Sequence, residues 1–267
     1  MSGEGANREK YAAQADPYNA VIQKMVEEEK DILQAIEEGA VNAAELKITL
    51  ADLMLDLLSH YLALNGLHKS ILRSNDEEAL NGARKALYKS ISYLEEVVTH
   101  FVDTAYADYK DKLQEIDSVT PKWRYFFVRK LGLSIDMVQR AYADNIRWKW
   151  AFEELKGRFA AVVKNLINLD RVNANTDPRS PHYEPTVLHL RLAIKLLEQS
   201  AVGYRKKYEI SSNSVNDFNK GLHFLDALRR LLLVIGKADE AEILKKKTDA
   251  WKGKLAADIA NGSAKST

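Results

Sequence analysis

The chain contains no cysteine, and only 5 prolines and 12 glycines occur among its 267 residues. Without cysteine there can be no disulfide framework, thiolate metal site, iron–sulfur cluster or cysteine nucleophile. The small share of proline and glycine argues against a fibrous, low-complexity or turn-rich all-β chain. There is no run of about 18 uncharged apolar residues, and the polar N-terminus lacks the layout of a secretory signal. We therefore expect a cytoplasmic protein that has no membrane span and no membrane partner.

The rest of the composition is that of a soluble globular protein with a hydrophobic core. Hydrophobic residues make up 46% of the chain and charged residues 29%, which are ordinary proportions for a folded protein. The length allows one large domain or two modest ones.

The formal net charge of +1 hides a strong asymmetry along the chain. Residues 1–118 carry 12 basic and 22 acidic side chains, a net of −10, and residues 119–267 carry 27 and 16, a net of +11. Such a segregation can create two oppositely charged faces that attract different partners. It is also compatible with two halves that neutralise one another, or with copies that associate head to tail.

Apolar residues recur at helical spacing along almost the whole chain. Capping residues or prolines predict helix starts, and glycines predict helix ends. The starts are at Asp16-Pro17, Asn42, Ser74-Asn75-Asp76-Glu77, Thr120-Pro121, Ser134 and Pro185, and the ends include Gly39, Gly132 and Gly236. We predict an all-α fold, an elongated array or bundle of about seven or eight long antiparallel helices. Two of them are expected to be especially long: one reaches about Glu115, and one spans 135–172 with a length of about 55 Å.

The clearest loop in the sequence is the Pro-rich segment 173–185. Three of the five prolines fall between positions 178 and 185, where a helix cannot continue. We expect a flexible N-terminus at 1–15, helical regions at 16–172 and 186–260, and a disordered tail at 261–267. The helical regions are predicted to form one continuous domain, with 173–185 as the only candidate for a subdomain boundary.

The six histidines raise the question of a metal site. The Glu-x-x-His motif of di-iron helix bundles is absent, but Asp56 and His60 are four residues apart, as are Glu96 and His100. These four residues could form a carboxylate–histidine metal site, or each pair could simply lie on a solvated helix face. The sequence also lacks a nucleophile elbow, a Walker loop and a dinucleotide fingerprint. We therefore predict no metal, no cofactor and no enzymatic activity, and keep a metal-dependent helical enzyme as the remote alternative.

The most distinctive stretch is the basic-aromatic segment 122–158. It carries nine basic and four acidic residues, a net of +5, together with three of the four tryptophans. Such a mixture is typical of protein interfaces and of nucleic-acid-binding surfaces, or its aromatic residues could form a core with the basic side chains reaching outward. The candidate interface residues are Lys122, Trp123, Arg124, Tyr125, Arg129, Lys130, Arg147, Trp148 and Lys149.

These observations predict a non-enzymatic helical scaffold or adaptor. The basic-aromatic surface would bind an acidic protein partner or another copy of the chain, with aromatic anchors and arginine–carboxylate contacts. Nucleic acid is the alternative partner for the same surface. The near-zero total charge weighs against it, because such proteins usually carry a strong basic excess.

Overall fold

The computed structural model describes residues 3–142 and 148–265, and within these ranges the fold is all-α, as predicted. These ranges contain ten α-helices and no β-strand. Two helices have only five and four residues, which is why the count exceeds the expected seven or eight. The helices are α1 (Gly3–Glu37), α2 (Ala43–Leu72), α3 (Glu77–Val97), α4 (Lys110–Gln114), α5 (Pro121–Ala141), α6 (Lys149–Asn165), α7 (Val172–Asn175), α8 (Tyr183–Lys207), α9 (Val215–Val234) and α10 (Ala238–Ala260). None of the helices in the described ranges combines the length and apolar character needed to cross a membrane.

The chain divides into two compact units. The first comprises Met1–Val97 and Phe127–Asn145, and the second comprises Val98–Phe126 and Ile146–Thr267. Helices α1, α2 and α3 and the larger part of α5 belong to the first unit, whereas α4, the first six residues of α5 and α6–α10 belong to the second. The segment 173–185 lies inside the second unit.

The first unit is built around α2, which is the most apolar helix of that unit. Helix α2 packs against both α1 and α3, so residues on several of its faces are buried, including Leu50, Met54 and Leu58. The buried hydroxyl of Ser90 on α3 donates a hydrogen bond of 2.8 Å to the backbone carbonyl of Ala51 on α2. This contact satisfies a polar group that would otherwise be costly to bury.

The second unit is organised around α8 and α9. Helix α8 packs against α6 and α9, and α9 packs in turn against α10. Phe218 on α9 is fully buried, and its ring contacts Tyr208 edge to face at a centroid distance of 4.9 Å and Trp251 at 6.0 Å. This aromatic cluster joins α9, α10 and the π-helical turn at Tyr208–Ser212.

Two glycines end helices as the sequence predicts. Gly39 has φ +90° and Gly236 has φ +77°, a left-handed conformation that residues with a side chain rarely adopt. After each, the next amide bonds to a carbonyl five residues back, Ala40 to Ala35 and Lys237 to Leu232. Both ends therefore have the hydrogen bonding of a Schellman motif.

The predicted start of the first helix is wrong. Helix α1 begins at Gly3 and includes residues expected to form a flexible N-terminus, and Pro17 lies inside it. Proline removes one helical hydrogen bond, that to the carbonyl of Ala13. Because Ala13 is exposed, water can solvate this carbonyl, which reduces the cost of the missing bond.

Three other predicted boundaries are wrong. Helix α3 ends at Val97 rather than near Glu115, because side chains of α6 bind the carbonyls beyond it: Asn165 donates to Thr99 and Lys164 to Val102. Helix α5 continues through Gly132: a glycine inside a helix costs only about 1 kcal/mol, and burial of the nearby Leu131 and Ile135 offsets this cost. The long helix 135–172 does not form, since α5 ends at Ala141 and α6 ends at Asn165.

The C-terminal tail is not wholly disordered. The amide of Lys265 donates a 2.8 Å hydrogen bond to the carbonyl of Asn213, and its carbonyl accepts one of 3.2 Å from the amide of Val215. These two bonds hold the end of the described chain against the start of α9 and correct the expectation for residues 261–265.

Candidate protein interface

The basic-aromatic segment begins with the first turns of α5, which belong to the second unit. The amide of Trp123 donates to the hydroxyl of Thr120 at 3.2 Å, so this threonine caps the helix. Lys122, Trp123 and Phe126 are exposed and Tyr125 is half-buried. The start of α5 therefore presents a basic residue and two large aromatic side chains to solvent.

Arg124 is not part of this exposed surface, which corrects its assignment as an interface residue. Its side chain is buried, and its guanidinium donates to the carbonyls of Ile116, Val119 and Leu166 at 2.7, 2.9 and 3.0 Å. Burial lowers the pKa of this guanidinium from its ordinary value. The planar guanidinium thus joins two parts of the chain: the segment before α5, through Ile116 and Val119, and Leu166, the residue that follows α6.

Lys130 has its charge engaged within the first unit. Its ammonium lies 2.6 Å from a carboxylate oxygen of Asp52 and 2.7 Å from one of Asp56 on α2. Partial burial alone would lower the pKa of Lys130, but hydrogen bonds to the two carboxylates outweigh it and raise that pKa. Lys130 therefore links α5 to α2, and it is not the free surface cation that the sequence suggested.

A second exposed face of α5 lies in the first unit, and we call it the α5 face. It consists of Arg129, Leu133, Met137 and Arg140, all exposed and spaced four, four and three residues apart, which places them on one side of the helix. The exposed Asp136 lies on the same side, so the net charge of this face is +1. Leu133 is 59% exposed and Met137 50%. The opposite side of α5 is buried through Val128, Leu131, Ile135 and Val138.

Only Arg129 of the α5 face was identified from the sequence. Leu133 and Met137 were missed because they are aliphatic, whereas the predicted interface is defined by aromatic and basic residues. Their positions in the sequence could have revealed them. The helical repeat assigns Val128, Leu131, Ile135 and Val138 to one buried side of α5, and Leu133 and Met137 fall outside that side.

The last candidates of the segment lie at the start of α6, in the second unit. Trp148 is half-buried, Lys149 is exposed, and the Lys149 ammonium lies 4.7 Å from the centre of the Trp150 ring, a cation–π contact. Arg147 lies outside the described residues.

The four metal-site candidates have other contacts. Asp56 binds Lys130, and Glu96 forms an ion pair of 2.9 Å with Lys47. His100 lies beyond the end of α3, so it does not share a helix face with Glu96, and its ring contacts that of Phe101 at a tilted angle of 41°. Across 3–142 and 148–265, no group of three or more His, Cys, Asp or Glu side chains is placed to hold a metal ion. These contacts leave no support for the carboxylate–histidine site that the sequence kept open as an alternative.

Comparison with known proteins gives a match along almost the whole chain. Residues 7–259 match a family described as the TP0443 family. No curated protein matches the chain.

Proposed function

The chain belongs to the TP0443 family, and we propose that it is a non-enzymatic cytoplasmic scaffold whose copies associate through the α5 face. The observation that carries this proposal is the exposure of Leu133 and Met137 in the middle of a helix, between two arginines. Apolar side chains with flanking arginines are a common composition for the centre of a protein interface.

The occupant we propose for the α5 face is the acidic end of α1 in a second copy. Glu27, Asp31 and Glu38 are exposed, and their spacing of four and seven residues places them on one side of the helix and its end. We call these three residues the acidic stripe. The acidic stripe complements the α5 face, where Arg129 and Arg140 outnumber the exposed Asp136. This favours the pairing over contact between two α5 faces, which would bring two net positive surfaces together.

The apolar residues and the charged residues would contribute differently to the free energy of association. Leu133 and Met137 are already about half-buried, so covering the rest of each side chain would contribute roughly 1 kcal/mol, about half of the value for a fully exposed one. The arginine–carboxylate pairs would contribute less to affinity, because exposed ion pairs are worth about 0–1 kcal/mol, but they would set the orientation and the association rate. Because two different surfaces meet, the contact is heterologous, and repeated contacts would give a ring or a filament.

Sedimentation velocity across a range of protein concentrations tests this proposal. We expect concentration-dependent association that weakens at high salt, since exposed charges are screened. The double substitution Leu133→Ser with Met137→Ser should abolish it without unfolding the chain. The exposed pair Ile243→Ser with Ile259→Ser on α10 is a matched control that should associate like the wild type.

A charge exchange separates the proposed contact from other associations. Arg129→Glu with Arg140→Glu should prevent association, as should Glu27→Arg with Asp31→Arg, and a mixture of the two variant proteins should associate again. A chain that is monomeric at every concentration, or a mixture that fails to regain association, would overturn the self-association proposal. Binding of single-stranded RNA that falls steeply with salt would instead favour the nucleic-acid alternative.

A further inference from the structure

A largely apolar pocket of about 330 Å³ lies in the second unit, between the segment 104–109, the end of α6 and the end of α9. Its apolar walls include Leu169, Leu231 and Val234. The volume falls at the lower end of the range of about 300–1,000 Å³ that is usual for small-molecule sites. The pocket shares no residue with the α5 face, and nothing in the proposed self-association requires it.

One polar group in the wall is the ammonium of Lys164. The residue is 8% exposed, and the one hydrogen bond that its Nζ makes to the described residues is to the carbonyl of Val102, at 2.9 Å. Lysine has three N–H donors, and the described residues that line the pocket include no aspartate or glutamate. Burial, followed by the positive charge of Arg230, lowers the pKa of Lys164 to about 8.

A second polar group is the phenol of Tyr109, which is 2% exposed. Its hydroxyl oxygen is buried and has no hydrogen-bond partner among the described residues. The Lys164 ammonium lies 5.5 Å from the centre of the Tyr109 ring. Burial raises the pKa of this phenol above its ordinary value, so at neutral pH the hydroxyl keeps its proton and can act as a donor. Leaving such a group unpaired costs about 1–3 kcal/mol.

Lys164 and Tyr109 thus supply donors, while the wall supplies no anionic acceptor. We propose that this pocket binds an amphiphilic carboxylate, a small molecule with one carboxylate group on an apolar body. The carboxylate would accept hydrogen bonds from the Lys164 ammonium and the Tyr109 hydroxyl and would neutralise the buried charge. The apolar body would occupy the space along Leu231 and Val234.

The mouth of the pocket has the electrostatics that an anion needs. Arg230 lines the pocket and is exposed, and its guanidinium is held by a 2.8 Å hydrogen bond to the carbonyl of Asp103. This positive charge at the entrance attracts an anion from solution, although the carboxylate of Asp103, which acts on Lys164 with the opposite sign, offsets part of it. Leu233, also exposed and in the lining, gives the entrance an apolar edge for the far end of the ligand.

Isothermal titration calorimetry with the full chain tests this proposal, with octanoate as the probe and octanol as its uncharged counterpart. We expect octanoate to bind at least about tenfold more tightly than octanol, because only octanoate can form charge-assisted hydrogen bonds. Lys164→Met should remove this preference. Lys245→Met, at an exposed position on α10, is the matched control and should leave it unchanged.

Two further measurements keep the test decisive if Lys164→Met fails to fold. Tyr109→Phe preserves the ring and should weaken octanoate binding by about threefold or more. Octanoate affinity should also fall as the pH rises through about 8, where Lys164 loses its proton, while octanol affinity stays level. The other charged groups that bear on this titration are Arg230, Asp103 and the nearby His223.

Equal affinities for octanoate and octanol, or an octanoate affinity that neither Tyr109→Phe nor pH alters, would overturn the proposal. Absence of octanoate binding would overturn it as well. Because these readouts concern binding within the second unit, they stand apart from the sedimentation results for the α5 face.

Discussion

The ammonium of Lys89 on α3 donates to both carboxylate oxygens of Glu29 on α1, at 2.8 and 2.7 Å, although Glu29 is buried. The hydroxyl of Tyr93, one helical turn further along α3, donates to the same carboxylate at 2.6 Å. Burial, together with this hydrogen bond, raises the pKa of Tyr93. Of the three consecutive glutamates 27–29 of α1, only Glu29 therefore holds α1 against α3, whereas Glu27 and Glu28 are exposed.

We expect Glu29→Ala to lower the free energy of unfolding by about 2 kcal/mol, because it leaves two donors without their buried acceptor. The exposed end of Lys89 can turn to water, which keeps the loss below that of a fully buried pair. Urea denaturation followed by circular dichroism measures the change. Glu28→Ala is the control and should stay within about 0.5 kcal/mol of the wild type; equal effects of the two substitutions would contradict the structural role of Glu29.

Arg124 provides a second test of a buried polar group. We expect Arg124→Lys to cost about 2–3 kcal/mol, because one ammonium cannot reproduce the planar fork that reaches the carbonyls of Ile116, Val119 and Leu166. Arg140→Lys, at an exposed position of the same helix, retains the charge and should be nearly neutral. Thermal denaturation measures both changes in stability. An Arg124→Lys variant as stable as the wild type would contradict the buried position of Arg124.

The helical class and most of the helix positions could be predicted because they depend on local spacing and caps. The Asp76 side chain accepts from the amide of Ala79 at 3.0 Å at the start of α3, as the capping sequence indicates. The end of α3 could not be predicted, because Asn165 and Lys164, far away in the sequence, bind the carbonyls beyond it. Long-range contacts of this kind leave no signal in local periodicity.

The candidate interface was predicted by residue type, and residue type does not give orientation. Arg124, with three carbonyl partners, and Lys130, with two carboxylate partners on α2, have the same sequence signal as the exposed Lys122. The exposed apolar residues of α5 were missed for the same reason. Which side of α5 is covered depends on its neighbours in the fold, and those were unknown at the level of sequence.

Two adjacent phenylalanines in α5 give a direct test of that orientation. Phe126 is 52% exposed and Phe127 is 4% exposed. We expect Phe127→Ala to cost about 3–5 kcal/mol, as is usual for a phenylalanine in a core, and Phe126→Ala to cost less than about 1 kcal/mol. Chemical denaturation of both variants measures the difference, and a reversed order of stability would mean that α5 presents the other side to solvent.

His189 on α8 predicts a specific dependence of stability on pH. Its Nε2–H donates to the carbonyl of Val163 at 2.9 Å, and burial lowers its pKa from 6.5 to about 4. The unfolded chain therefore binds a proton at this residue between pH 6.5 and 4, where the folded chain does not. Its contribution to stability is full above pH 6.5 and is lost as the pH falls to about 4, for a total of roughly 3 kcal/mol.

The measurement is the free energy of unfolding of His189→Gln relative to the wild type across this pH interval. The difference between the two proteins should shrink or change sign as the pH falls, because the variant has no imidazole to protonate. A constant difference for His189→Gln would show that His189 titrates alike in the folded and unfolded states.

Replacing either of two glycines in neighbouring helices by alanine should change the stability of the protein, in opposite directions. A Cβ added to Gly221 on α9 would lie 3.1 Å from the carbonyl oxygen of Ala201 on α8, a backbone atom that cannot turn aside, whereas one added to Gly253 on α10 would meet nothing within 4 Å. Gly221→Ala should therefore lower stability by about 1–2 kcal/mol through overpacking. Gly253→Ala should raise it by about 0.5–1 kcal/mol, because alanine loses less backbone freedom than glycine when a helix forms. Thermal denaturation of both variants gives the two signs, and a stabilising Gly221→Ala would mean that α8 and α9 are not held as closely as this contact requires.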